Sequence, residues 1–210
     1  MSQAEQRLEN EEYRAQINET LKDEGLEYTG KAPTRHLLWI IVEEIGEKKF
    51  KSLVKRKLDG LNLAPFYGCY LVRPSKALRF YENPERETCL EDLTEWVGAK
   101  PTEYSGSRAC CGFPILTINE KAALKMVGNH TSTAKDLGAD AMVTPCPLCH
   151  LNLDQYQNRA AGMMKREIDI PIIHVPQLVG LALGLDPKEL KINKHIISTK
   201  KLLSEISLRP

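Results

Sequence analysis

The sequence predicts an α/β fold, a mainly parallel sheet flanked by helices, with an N-terminal helical arm. Three observations carry this expectation. From residue 61 onward, short apolar runs (Leu63–Tyr67, Ala141–Thr144, Ile170–Val175) alternate with stretches of helical periodicity, as strand–helix units around a parallel sheet require. Gly25, Gly46, Gly98 and Gly138 each follow a helical stretch, where a left-handed cap belongs. Residues 1–60 show helical periodicity and heavy charge, with no strand pattern. The expected division is therefore a helical arm or linker over 1–60 and one domain over 61–210. At 210 residues, 42% hydrophobic and 27% charged, the chain has an ordinary globular balance.

In chain order, residues 2–24 read as a polar helix with Leu8, Tyr13, Ile17 and Leu21 on one narrow face. Pro33-Thr34 opens a second helix through Ile45, with Leu37, Leu38, Ile41 and Ile45 on its apolar face. A third helix is expected over 47–58. Leu63–Tyr67 is a strand running into Gly68-Cys69. Pro74 occupies the first turn of a helix reaching Phe80, a loop covers 81–86, and Cys89–Val97 is helical. A short strand near 101–104 leads to the loop carrying Cys110-Cys111-Gly112. Residues 118–137 form an amphipathic helix with Ala122, Leu124, Val127, Ala134 and Leu137. After the strand Ala141–Thr144, Cys146-Pro147-Leu148-Cys149 opens another helix. Ile170–Val175 is a strand, Pro176–Leu183 a helix, and 193–204 a terminal helix.

Composition excludes several classes of function. A net charge of +1 gives no electrostatic case for nucleic acid. The longest apolar run, Leu37–Val42, is far short of the roughly 20 residues of a membrane span. The segment Met1–Arg7 is polar and lacks a secretory apolar stretch, so a cytoplasmic location is expected. No G-x-G-x-x-G follows a strand, so no nucleotide cofactor is expected in this chain. In that setting six cysteines point to metal or redox use before structural disulfides.

Five of the six fall into a pattern, Cys-x40-Cys-Cys-Gly-x33-Cys-x-x-Cys, formed by Cys69, Cys110, Cys111, Cys146 and Cys149. Vicinal cysteines make poor disulfide partners, because disulfide geometry favours Cα atoms roughly 5.5–6 Å apart. Five thiolates exceed the four ligands of a tetrahedral zinc, and soft thiolates in that number favour iron–sulfur chemistry. Cys146–Cys149 alone also fits a thioredoxin-type pair, a c-type haem attachment ending in His150, or a zinc knuckle. Each of these leaves other cysteines of the pattern unexplained. Gly68 and Gly112 allow close backbone approach. Cys149 is expected on the first turn of a helix, where the amide dipoles lower a thiolate pKa. Cys89 lies outside the pattern and reads as an unliganded, half-buried thiol.

The spacing and its flanks, Ala64-Pro65-Phe66-Tyr67-Gly68-Cys69 and Val143-Thr144-Pro145-Cys146-Pro147-Leu148-Cys149-His150-Leu151-Asn152-Leu153-Asp154, resemble the cysteine-rich "CCG" domain of the heterodisulfide reductase B-subunit and its relatives. The resemblance covers roughly residues 60–185. It implies that the five cysteines hold a non-cubane 4Fe-4S cluster used to reduce disulfides or oxidise thiols. It further implies an oxidoreductase subunit, inactive alone, that works with a ferredoxin-like iron–sulfur subunit and a flavoprotein subunit. The full-length subunit of that family carries two such domains in tandem, whereas this chain carries one, resembling the second. The arm's apolar stripe is then expected to pack on the α/β body, on a second copy of the chain, or on a separate first CCG domain. His150, beside Cys149, reads either as a helix-surface residue or as a proton donor. Arg73, four residues after Cys69, reads as a surface charge or an anion contact. His36, His130, His174 and His195 have no metal-like spacing and read as structural. Two other classes of function stay open: a non-catalytic electron-relay subunit of a succinate-dehydrogenase-like complex, and a zinc-stabilised scaffold.

Overall fold

The computed structural model describes residues 2–31 and 33–207; Met1, Ala32 and the last three residues of the expected 61–210 domain lie outside them. The helices are α1 (Ser2–Arg7), α2 (Glu11–Leu21), α3 (Leu37–Trp39), α4 (Glu47–Leu53), α5 (Ser75–Leu78), α6 (Cys89–Trp96), α7 (Glu120–Asp136), α8 (Pro147–Gln155), α9 (Gln157–Met164), α10 (Val175–Ala182) and α11 (Lys200–Ser207). The strands are β1 (Asn62–Pro65), β2 (Lys100–Pro101), β3 (Ala141–Thr144) and β4 (Ile172–His174). They form one sheet in the order β2-β1-β3-β4, parallel throughout. The α/β architecture with helices on a parallel sheet is as the sequence predicts.

Side chains alternate across the strands, and that alternation divides the interior into two cores. Leu63, Val143 and Ile173 face one side and pack with Leu38, Phe50, Leu90, Leu93, Leu178 and Leu202. Ala64, Met142 and Ile172 face the other and pack with Val127, Ala134, Leu153 and Ala160 of α7–α9. Cys111, Cys146 and Cys149 belong to the second core, whereas Cys89 lies in the first. Residues 38–50 thus share a core with the sheet.

The helix expected to reach Phe80 ends at Leu78, 3-10 turns occupy Phe80–Glu82 and Pro84–Arg86 in the expected loop, and the strand near 101–104 is Lys100–Pro101; other departures have a specific contact behind them. The first helix is broken after Arg7, because the Asn10 side chain accepts from the Tyr13 amide and starts α2 afresh. The second helix begins at Leu37, not at Pro33-Thr34. The Thr34 amide donates to the Glu5 carboxylate at 3.0 Å, and the His36 ring nitrogen accepts from Leu38. Beyond Trp39 it widens into a π-helical turn, Ile40–Ile45. Leu38, Trp39, Ile41 and Val42 are buried, whereas Leu37, at the start of α3, is 46% exposed. The third helix stops at Leu53 because the Lys55 and Arg56 amides turn away to the Ala182 carbonyl. The expected 193–204 helix is split into a 3-10 turn, Ile192–Lys194, and α11, since the Asp154 carboxylate accepts from the amides of Ile196 and Ile197 between them at 2.7 and 3.0 Å.

A buried ion pair fixes the turn Ile40–Ile45 to the loop after α5. Arg86 pairs with Glu43, donates to the carbonyls of Leu78 and Arg79, and lies 4.1 Å above the Trp39 ring. No described helix is long and apolar enough to cross a membrane.

The register of α3 makes a sharp prediction about neighbouring leucines. Leu38 is 0% exposed, so Leu38→Ala is expected to cost about 2–5 kcal/mol. Leu37→Ala is expected to cost under about 1 kcal/mol. Urea unfolding of the two variants checks the register, and equal costs would contradict it.

Candidate metal centre

The sheet order places three loops at one edge. β1 leads to Cys69, β3 on one side leads to Cys146 and Cys149, and β2 on the other side leads to Cys110 and Cys111. In parallel α/β sheets the carboxyl edge is where ligands bind. The loops are tied to one another: the amides of Tyr67 and Gly68 donate to the Ser107 carbonyl at 2.8 and 3.3 Å. Asn152, 0% exposed and one turn after Cys149, donates through Nδ2 to the Cys111 carbonyl at 2.8 Å. His130 Nε2 lies 3.0 Å from the Cys110 carbonyl oxygen.

All five thiols of the pattern are brought together, and all are free of disulfides. Cys149 interacts through its thiol with Cys111 and Cys146, while Cys69 interacts with Cys110 and feels the charge of Cys111. Gly112 donates its amide to Cys110 Sγ at 3.4 Å. Among the described residues, no three His, Cys, Asp or Glu side chains are arranged to hold a single metal ion as they stand. The thiols instead form two linked runs of two and three.

Electrostatics within the set are uneven. The Cys149 thiol, with the backbone amides of Cys149 and Leu148, holds Cys146 down to about 6. The same thiol lowers Cys111, helped by the Phe113 amide. Cys149 itself is pushed up, because it lies between Cys111 and Cys146 and is buried. The expectation that a first-turn position would lower Cys149 is therefore corrected. The lowered group is Cys146, the N-cap of α8, and Cys149 serves as its donor. Burial, then Cys110, raises Cys69 to about 11. Cys89 is fully buried, deeper than the half-buried thiol expected, and desolvation raises it to about 12.

Backbone shape also favours a group of some size at the sulfurs. Gly68 has φ +69, and a Cβ there would stand 2.6 Å from Cys149 Sγ. Gly112 has φ +96 and lies against Ala123, whose carbonyl oxygen would be 3.0 Å from an added Cβ. Two buried polar atoms in this region, the Tyr104 hydroxyl and Asn152 Oδ1, have no protein hydrogen-bond partner. A buried polar group left unpaired costs about 1–3 kcal/mol, so orphans here mark a place built for something else. Five thiols, a close glycine and the unpaired Tyr104 hydroxyl, a donor that sulfur can accept, fit a polynuclear thiolate-bound group; the Asn152 oxygen can only accept and adds nothing to that fit.

The two catalytic candidates lie differently. Arg73 is exposed and lines a cavity of about 600 Å3 together with Arg35, His36, Trp39, Tyr70 and Cys146. His150 turns its ring onto His195 and His174, with centroids 4.7 and 5.9 Å away, and its buried Nε2 has no protein partner. Burial lowers its pKa, and so does the nearby His195. His174 Nε2 is 3.3 Å from the Pro145 carbonyl. His36 is held down to about 4 by burial and by His174. The histidines that the sequence left as structural thus gather at the loops of Cys110 and Cys146. Their numbering gives no sign of this, because distant segments supply them. Asn152 alone was within reach, three residues after Cys149 on one helix face. A second cavity, of about 490 Å3, lies away from the cysteines beside Lys135, Asp140 and Lys201.

Two substitutions test this geometry. Gly68→Ala is expected to cost about 1–2 kcal/mol for the left-handed backbone and to displace the Cys149 thiol. Asn152→Ala is expected to cost about 1–3 kcal/mol by stripping the Cys111 carbonyl of its donor. Urea unfolding reads both costs, and two unchanged midpoints would contradict the close packing of these loops.

Known proteins resemble the chain in sequence and in fold. The family described as "Cysteine-rich domain" (CCG) matches residues 63–154. A fumarate reductase membrane anchor subunit (8-methylmenaquinol-dependent) of Wolinella succinogenes is 38% identical over 89% of this chain and 65% of its own length. The B-subunit of the ferredoxin/F420H2-dependent CoB-CoM heterodisulfide reductase of Methanosarcina acetivorans is 34% identical over 93% of this chain and 65% of its own. A heterodisulfide reductase B-subunit-like protein of Archaeoglobus profundus is 32% identical over 92% of this chain and 69% of its own. The chain therefore spans about two thirds of the length of these relatives. A Helicobacter pylori protein of known crystal structure shares the fold, with a TM-score of 0.68 at 19% identity over 93% of this chain and 35% of its own. Five cysteines at this spacing, a parallel sheet that gathers them, and relatives matched along most of the chain place it in the heterodisulfide reductase B-subunit family of CCG cysteine-rich proteins.

Proposed function

We propose that this chain is the iron–sulfur subunit of a heterodisulfide-reductase-like complex in the cytoplasm, holding a non-cubane 4Fe-4S cluster on Cys69, Cys110, Cys111, Cys146 and Cys149. The observation that carries the reading is the meeting of five free thiols from three loops at one sheet edge, beside a cavity that includes Cys146. A bound cluster supplies the one-electron steps into which a two-electron disulfide reaction divides. The chain's own residues bind and orient. Trp39, Tyr70 and Leu71 offer an apolar wall to a disulfide or thiol, and Arg73 and Arg35 offer positive charge to an anionic end. His150, the residue after Cys149 in the chain, is assigned the role of proton donor to the departing thiolate; its ring rests on His174 and His195, with Nε2 unpaired, and stands outside the lining of that cavity.

Residues 61–210 form the cluster domain in this reading, and the arm over 1–60 carries contacts to a neighbour. Leu8, Tyr13 and Ile17 line an open cavity of about 380 Å3, which suits a first CCG domain or a second copy. Electrons arrive from a ferredoxin-like subunit and, through it, a flavoprotein. A second reading, an electron-relay subunit without disulfide chemistry, is favoured by the 38% identity to a fumarate reductase membrane anchor subunit.

Anaerobic reconstitution, followed by iron and sulfide analysis and EPR, tests the ligand set. About four iron atoms per chain are expected. Cys110→Ser and Cys111→Ser should lose or remodel the chromophore, and Cys89→Ser should keep it. Zinc without iron in the native protein would overturn the reading.

Turnover separates enzyme from relay. The isolated chain is expected to reduce disulfide slowly or not at all, and a matching first-domain protein should restore activity. In the restored system His150→Ala is expected to lower the rate about a hundredfold at unchanged iron content. Steady-state disulfide reduction per cluster is the measurement. A restored complex that accepts electrons but never cleaves disulfide would favour the relay.

A further inference from the structure

We infer that the Tyr104 hydroxyl donates a hydrogen bond to a sulfur of the group held by the five cysteines, and thereby sets its reduction potential. The inference rests on the iron–sulfur reading above. Tyr104 lies between β2 and Cys110 and packs on the core that contains Cys111, Cys146 and Cys149. Its hydroxyl oxygen is buried and has no protein partner. Tyr67 provides the contrast. Its hydroxyl donates to the Glu87 carbonyl at 3.1 Å, contacts the Glu91 carboxylate and accepts from the Leu90 amide at 3.0 Å. A buried tyrosine of this chain thus finds partners where the protein itself supplies them.

Tyr104 borders an open cavity with Glu103 and Ser107 on one side, and on the other packs on the core of Cys111, Cys146 and Cys149, where sulfur is the acceptor at hand. The ring is gripped: its centroid is 6.5 Å from that of His130, and a Cβ on Gly106 would come 2.9 Å from Tyr104 Cε2. The phenol is held in place rather than free to seek another partner. A phenol remains protonated up to about pH 10 and is a donor throughout the physiological range. Donors to cluster sulfurs stabilise the more negative, reduced form and raise its potential.

Tyr104→Phe removes the hydroxyl and keeps the ring. With iron content equal to the native chain, the variant is expected to hold about tenfold fewer reduced clusters at a fixed poise, equivalent to about 59 mV for one electron. Redox titration followed by EPR reads this shift, which a merely structural ring would not move. A second measurement uses the native holo-protein exchanged into deuterium oxide. Pulsed EPR should find an exchangeable deuteron coupled to the cluster, and the coupling should vanish in Tyr104→Phe. An unchanged potential in the loaded variant overturns the inference. If Tyr104→Phe fails to load, Tyr104→Leu, which also lacks the hydroxyl, takes its place: a lowered potential with one exchangeable deuteron lost supports the inference, and an unchanged potential overturns it. A native chain that binds no iron and sulfide overturns the cluster reading as well, which separates the two failures.

Discussion

Side-by-side pairing of parallel β1 and β3 is the constraint on which the rest of the site depends. With Pro65 opposite Val143, both strands end at the same level and deliver their cysteine loops to one place. Neighbouring strands lie about 4.8 Å apart, so one intervening strand would double the separation of the two loops. Reversing one strand would send its loop to the far edge of the sheet. β2, on the other side of β1, then contributes the vicinal pair from the opposite flank. Three successive strand ends thus converge, and the hydrogen bonds from Tyr67 and Gly68 to Ser107 hold two of the loops together. Ligands far apart in the chain come together because the strands before them are neighbours.

Much of this was legible in the sequence, for a definite reason. Strands buried on both faces read as continuous apolar runs, and Ala141–Thr144 is found with those bounds. The five-cysteine spacing, together with strand–helix alternation, already points to one edge of a parallel sheet. What was hidden depends on contacts between distant segments. Asp154 unwinds the approach to α11, Glu5 keeps Thr34 out of a helix, and a π-turn occupies Ile40–Ile45. None of these leaves a periodic trace. The same holds for the site's secondary residues. His36 and His174 reach the cysteine loops from two other segments, and no spacing relates them to a ligand.

The pattern of thiol energetics follows from crowding more than from helix position. Cys146 at the N-cap is lowered first by the Cys149 thiol and only then by the amides of the helix start. Cys149, further into the same helix, is raised because two other thiols already surround it. Placing several anions at one point is costly, and the chain meets that cost by sharing protons among sulfurs. A metal group removes those protons on binding, which makes its affinity steeply dependent on acidity.

Division of the interior into two cores has a consequence for how the chain responds to a disturbance at its thiols. Cys111, Cys146 and Cys149 belong to the layer of α7–α9, while Leu38, Phe50 and Leu90 pack in the opposite layer. Each layer buries its own face of the same strands. A change at one of these thiols therefore bears first on one side of the sheet, and the opposite layer gives the strand order a second, separate support.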